Sequence, residues 1–160
     1  MDNNTPKAKR ELDALIAERL FGWRWVKYPA PNLSEHRLLT GIVPPAAPGR
    51  IYSNRTDRIW QPSTPDAERF SDWDTLYWWD DDGASDIRRG MPHYSTDIAA
   101  AVQVEDEIER RGLIRPYLDA LWDVTGNLYA RGPQAMWALL RATPEERCQA
   151  ALKALEDTNG

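Results

Sequence analysis

Apolar positions recur at helical spacing near the start of the chain. Leu12, Leu15, Ile16 and Leu20 fall on one face, behind Thr5 as a cap and Pro6 in the first turn. The spacing predicts an amphipathic helix that ends near Phe21, with Gly22 as its stop. "WRWVKY" at 23–28 then alternates large apolar and basic residues, as a half-buried strand does. From Pro29 to Pro92 the pattern breaks up, and most of the prolines lie in this stretch. Compact domains rarely hold a structureless loop of such length, so the pieces "RLLTGIV", "RIYS", "RIWQ" and "TLYWW" read as two to four short strands joined by exposed turns.

A second helix follows "HYST". Ile98, Ala101, Val102, Val104 and Ile108 make its apolar stripe, Glu105, Asp106, Glu107 and Glu109 its solvated side, and "RRG" its end, with arginines favourable to the helix dipole. "LIRPYLDALWDVT" at 113–125 fits two periods. Ile114, Pro116, Leu118, Ala120, Trp122 and Val124 share a strand face, whereas Tyr117, Leu118, Leu121 and Trp122 suit a helix. Pro116 is compatible with either, and the strand is the reading adopted. After a turn at Gly126 and Asn127, "AMWALLRA" at 135–142 reads as a further strand. A third helix opens with a capping box, Thr143 and Glu146 around Pro144, and packs through Cys148, Ala151, Leu152 and Leu155. The expected fold is therefore α+β, one domain over residues 1–160 with a long irregular insertion at about 44–90. Its helices are expected on both faces of a mostly antiparallel sheet, an α/β/α sandwich.

Composition narrows the function classes. A chain of 160 residues can bury a core without disulfides, and its one cysteine, Cys148, excludes both a disulfide framework and a cysteine zinc site. A net charge of −5, from 20 basic and 25 acidic residues, argues against general nucleic-acid binding. The polar N-terminus carries no secretory pattern and the longest apolar run is "AMWALL", so the expected location is the cytoplasm, with no membrane span. Eight tryptophans are the unusual feature, because such rings suit cores, interfaces and ligand walls alike. Trp23, Trp25, Trp78 and Trp79 come in close pairs, which places some of them outside the core.

Chemistry is sparse. "HYSTD" puts His93, Ser95 and Asp97 close together, but residues entering one helix do not build a nucleophile–base–orienter geometry, and no "GxSxG" elbow is present. The cluster reads as a cap, with Ser95 or Thr96 accepting a first-turn N–H and Asp97 favouring the positive helix end. A secondary reading has that helix start, with Tyr94, Ser95, Thr96, Arg88 and Arg89, hold an anion. "YWWDDDGASD" at 77–86 fails as an EF-hand loop, since Trp78 stands where an oxygen ligand belongs and Arg89 where the closing glutamate belongs. With His36 and His93 the sole histidines, no transition-metal site and no cofactor is expected.

Three segments, "ELDALIAERLFGWRW" at 11–25, "PHYSTDIAAAVQVEDEI" at 92–108 and "ATPEERCQAALKAL" at 142–155, together resemble the phage ABA sandwich domain proteins, a family of small phage and prophage proteins. They cover about 46 residues. The resemblance implies helices on both faces of a sheet and an accessory role without catalysis, so no catalytic residue carries over. Residues 44–90 contain no motif of that family.

The expectation drawn from this is a non-enzymatic accessory protein that binds in the host cytoplasm, in its sharpest form an anti-defence inhibitor holding a host defence protein or a signalling nucleotide. The nucleotide version predicts Arg50, Arg55, Arg58, Arg88 and Arg89 converging with Trp78 and Trp79 on one pocket. The protein version predicts an open aromatic patch. The alternatives are a small hydrolase or transferase built from His36, His93 and Asp80 to Asp82, and a structural, virion-associated protein. A homodimer would suit exposed tryptophans in any of these cases.

Overall fold

The computed structural model describes residues 6–29, 38–45, 50–53, 56–59, 61–62, 78–79, 88–89, 91–126 and 132–158. Side-chain surroundings are described for 8–26, 41–45, 91–126 and 132–158. In chain order the elements are α1 (Pro6–Arg19), β1 (Arg24–Pro29), β2 (Leu38–Val43), β3 (Arg50–Ser53), β4 (Thr56–Ile59), β5 (Gln61–Pro62), β6 (Trp78–Trp79) and β7 (Arg88–Arg89). They are followed by α2 (Ile98–Arg110), α3 (Ile114–Val124), α4 (Pro133–Leu140) and α5 (Pro144–Thr158). The chain divides into two units: residues 1–21 together with 92–160, and residues 22–91.

The first unit is helical. α5 is its centre and packs against α1, α2 and α3. Cys148, Ala150, Ala151, Ala154 and Leu155 are all buried, so small side chains line α5 and let the neighbouring backbones approach closely. Ala14, Ile16, Ala17 and Leu20 of α1, Val104 and Ile108 of α2, and Tyr117, Ala120 and Leu121 of α3 complete the core. α5 starts as its sequence requires: the Thr143 N–H donates to the Glu146 carboxylate at 2.7 Å, and the Glu146 N–H donates to the Thr143 hydroxyl at 3.2 Å. α2 ends in a Schellman motif. The Leu113 N–H returns to the Ile108 carbonyl at 3.0 Å and the Gly112 N–H to Glu109 at 2.9 Å, with Gly112 at φ +72°.

The second unit holds the strands. β1 pairs antiparallel with β2 along its whole length, from Arg24 opposite Val43 to Pro29 opposite Leu38, and β5 adds a two-residue edge. Trp25, Val26, Ile42 and Val43 are buried and Arg24 is exposed. β3 with β4, and β6 with β7, are two separate antiparallel ladders, and β3 lies beside β6.

The α/β/α sandwich is not what forms. The described residues are mostly helical, with the strands in small separate sheets confined to residues 22–91, and the helices of the first unit bury one another. The cause is specific. The two segments expected to supply strands after residue 112 are α3 and α4. In α3 the buried set is Tyr117, Ala120 and Leu121 at helical spacing, while Ile114 and Leu118, core positions on the strand reading, are exposed. Pro116 falls in the first helical turn, where its missing N–H costs nothing. In α4, Pro133 occupies the first helical position after Gly132, and the alanine, methionine and leucine that follow are strong helix formers. The α2 stripe is also rotated from expectation: Ala100 is inside, and Ile98 and Val102 are exposed.

Candidate functional site

Residues 92–97 are a structural joint. Asp97 is the N-cap of α2, its carboxylate accepting the Ala99 N–H at 2.9 Å. Neither Ser95 nor Thr96 takes the capping role assigned to them from sequence. Ser95 is buried; its N–H donates to the Asp13 carboxylate at 2.7 Å and its hydroxyl to the Lys9 carbonyl at 3.1 Å. Arg10 pairs with the same Asp13 at 2.9 Å and donates to the Pro92 carbonyl at 3.2 Å. A buried carboxylate with no exposure is held because backbone and guanidinium donors replace its lost water.

Tyr94 stacks on Phe21, ring centroids 5.1 Å apart, and burial pushes its hydroxyl well above the ordinary tyrosine range, reinforced by the Asp13 charge. His93 and Thr96 are exposed, and the His93 carbonyl accepts the N–H groups of Thr96 and Asp97. Of the anion set at this helix start, Tyr94 and Ser95 therefore sit inside the fold, and the Asp97 carboxylate occupies the helix end where an anion would lie. Cys148 is buried, and burial, then the Asp13 and Glu145 charges, raise its thiol far above the usual range, so it stays protonated at neutral pH.

The tryptophan–arginine set lies on β3, β4, β6 and β7. Arg50 stands opposite Ile59, Arg58 opposite Ile51, Trp78 opposite Arg89 and Trp79 opposite Arg88. Arg55 lies outside the described residues, as do His36 and Asp80 to Asp82, the other parts of the hydrolase reading. Among the described residues no group of histidine, cysteine and carboxylates could hold a metal ion, and no helix is long and apolar enough to cross a membrane.

The surface that stands out is one the sequence reading assigned to a strand. On α4, Met136, Trp137 and Leu140 are 61%, 61% and 63% exposed, and Ala135 is the one buried residue of the helix. Pro133 is exposed one turn before them, giving an i, i+3, i+4, i+7 face. No residue of α4 is ionisable. The other exposed apolar pairs, Ile98 with Val102 on α2 and Ile114 with Leu118 on α3, are smaller and less exposed. Gly132 and Pro133, a helix-start signature before good helix formers, were the signal that could have revealed this face.

α4 is fixed at its C-terminal end by Arg147 of α5. The guanidinium donates to the Ala142 carbonyl at 3.0 Å and pairs with Glu105 of α2 at 2.6 Å. Glu105 also accepts the Tyr117 hydroxyl at 2.9 Å, and burial together with that carboxylate holds the Tyr117 proton firmly. One charged cluster thus joins α2, α3, α5 and the turn after α4.

In comparison with known proteins, no family model matches the chain, and neither a curated protein nor a solved structure matches it at a significant level.

Proposed function

We propose that this chain is a non-enzymatic phage or prophage accessory protein that acts by binding in the host cytoplasm, and that it holds a protein through the exposed face of α4. The observation that carries this reading is the exposure of Met136, Trp137 and Leu140 on a helix without ionisable side chains. Interface centres are enriched in aromatics and methionine and depleted of charge, and α4 has that composition. α4 itself carries no cationic side chain, and Arg141 at its C-cap is the one cation that directly follows it. The phage origin rests on the resemblance of the three segments at 11–25, 92–108 and 142–155. The sharpest form of the reading has a host defence protein as the target.

Parallel capture from infected cells with tagged wild-type and Trp137→Glu proteins tests this. The same host protein should be retained by the first and lost with the second. Equal recovery by both would remove α4 as the docking face. A selective rise in melting temperature with one nucleotide would instead shift the reading to sequestration.

A further inference from the structure

We infer that Glu105 of α2 is a positioning residue for α4, acting through Arg147, which it holds in a clasp on the end of that helix. The clasp stands on geometry, and its bearing on docking rests on the reading of α4 as a protein-docking face. α4 has little else to keep it in place. The larger helix contacts run among α1, α2, α3 and α5, and α4 takes no part in them. Ala135 is its one buried residue, and a helix of eight residues is marginal on its own.

The clasp closes on the C-terminal end of α4, where carbonyls lack partners within the helix. Arg147 Nε donates to the Ala142 carbonyl at 3.0 Å, and Nη2 reaches the Leu140 carbonyl at 3.5 Å. Nη1 pairs with the Glu105 carboxylate at 2.6 Å. The Arg147 side chain is 14% exposed, so its charge has lost much of its water and needs that carboxylate in exchange. Without it the guanidinium gains by turning to solvent, and both carbonyls lose their donor.

The neighbouring bonds direct the consequence to α4. The Tyr117 hydroxyl donates to the same Glu105 oxygen at 2.9 Å and orients the carboxylate from α3. Just beyond the clasp, the Thr143–Glu146 box fixes the start of α5 on its own. Movement released by an open clasp therefore falls on α4, whose last turn ends there. The docking face is presented in one place only while Glu105 and Arg147 stay paired.

Native-state hydrogen exchange on the full chain tests the inference. Glu105→Gln withdraws the charge but keeps an acceptor oxygen for Tyr117. The amides of residues 136–142, which bond back to carbonyls from Gly132 onward, should exchange about tenfold faster, and those of 150–156 less than about threefold faster. In an Arg147→Met background the same substitution should add nothing at 136–142, because its effect travels through the guanidinium. Tyr117→Phe leaves the Arg147 pair and should quicken α4 no more than α5. If Glu105→Gln fails to fold, Glu105→Asp, which keeps the charge on a shorter arm, should open α4 in its place. Unchanged exchange at 136–142 in a folded Glu105 variant overturns the clasp, as does equal acceleration with Arg147→Met present. Glu105→Gln should also weaken retention of the host protein that Trp137→Glu loses. Capture by Trp137→Glu equal to wild type would remove the docking reading, while the exchange result still decides the clasp.

Discussion

The Asp13 carboxylate accepts the backbone N–H of Ser95 at 2.7 Å across 82 residues of chain, with both residues buried. This bond, with the Arg10 pair beside it, fastens α1 to the segment that launches α2. Asp13→Ala should leave the Ser95 N–H buried without its acceptor and remove the ion pair with Arg10. Breaking a buried pair from one side typically costs about 3–5 kcal/mol, and Asp13→Asn should cost less because it keeps an acceptor oxygen. Urea unfolding of the two variants, followed by tryptophan fluorescence, checks the size and the order.

The identity of the α2 cap gives a sharper contrast. Asp97→Ala should destabilise by about 1 kcal/mol, the usual worth of an N-cap side chain. Thr96→Ala should stay within about 0.5 kcal/mol, because its exposed side chain is not the cap. Equal losses at both positions would mean the cap is shared.

Acid should act through Glu107. Its carboxylate is held down to about 2 by the hydrogen bond from Arg110, supported by Arg111. A depressed carboxylate stabilises the fold in its ionised form, fully above its ordinary value of 4.5, and that contribution fades as pH falls toward 2. Glu107→Gln should therefore flatten the stability profile between about pH 4.5 and 2 and leave the slope above pH 6 unchanged. The largely exposed Arg110 makes the effect sensitive to salt, so melts at low and high ionic strength should differ more for wild type than for the variant.

Cys148 should be silent to thiol reagents while the chain is folded. Its burial and raised thiol leave little thiolate, so labelling at pH 8 should proceed only as fast as the protein opens, and should become rapid in urea. Fast labelling in native buffer would contradict the packing of α5.

Arg147→Met should loosen α4 while the core around α5 stays intact. The substitution removes the donor to the Ala142 carbonyl and the partner of Glu105. Hydrogen exchange should then quicken across residues 133–140 by more than it does across 147–156.

Legibility in the sequence followed the range of the interactions. The Thr143–Glu146 box is complete within four residues, and its helix was read correctly. The strands β1 and β2, though not their pairing, and the helix boundary at Gly112 were legible from local signals, apolar runs and a glycine at positive φ; the expected alternation does not hold, since the adjacent Trp25 and Val26 are both buried. Asp13 was invisible: within its own helix it is one acid among several, and its role comes from a backbone N–H far along the chain. The assignment of Ser95 as a cap failed on the same point, since its true partners are Asp13 and Lys9. α3 and α4 were misread because short apolar runs fit periods of two and of 3.6, and Pro116 and Pro133 sit where both element types tolerate proline. That error hid the α4 face, and it supplied the strands from which the sandwich was built.

The helical unit is assembled from two pieces of chain separated by residues 22–91. During synthesis α1 therefore leaves the ribosome well before its principal neighbour exists. Ile16 and Leu20 have no α5 to cover them, and Asp13 has no Ser95 to satisfy it, until some seventy further residues, and then the rest, have been made. At about 5–20 residues per second that interval lasts several seconds. Throughout it the apolar positions of α1 stay open to solvent, and a segment of that length holds little helix on its own until its neighbours arrive.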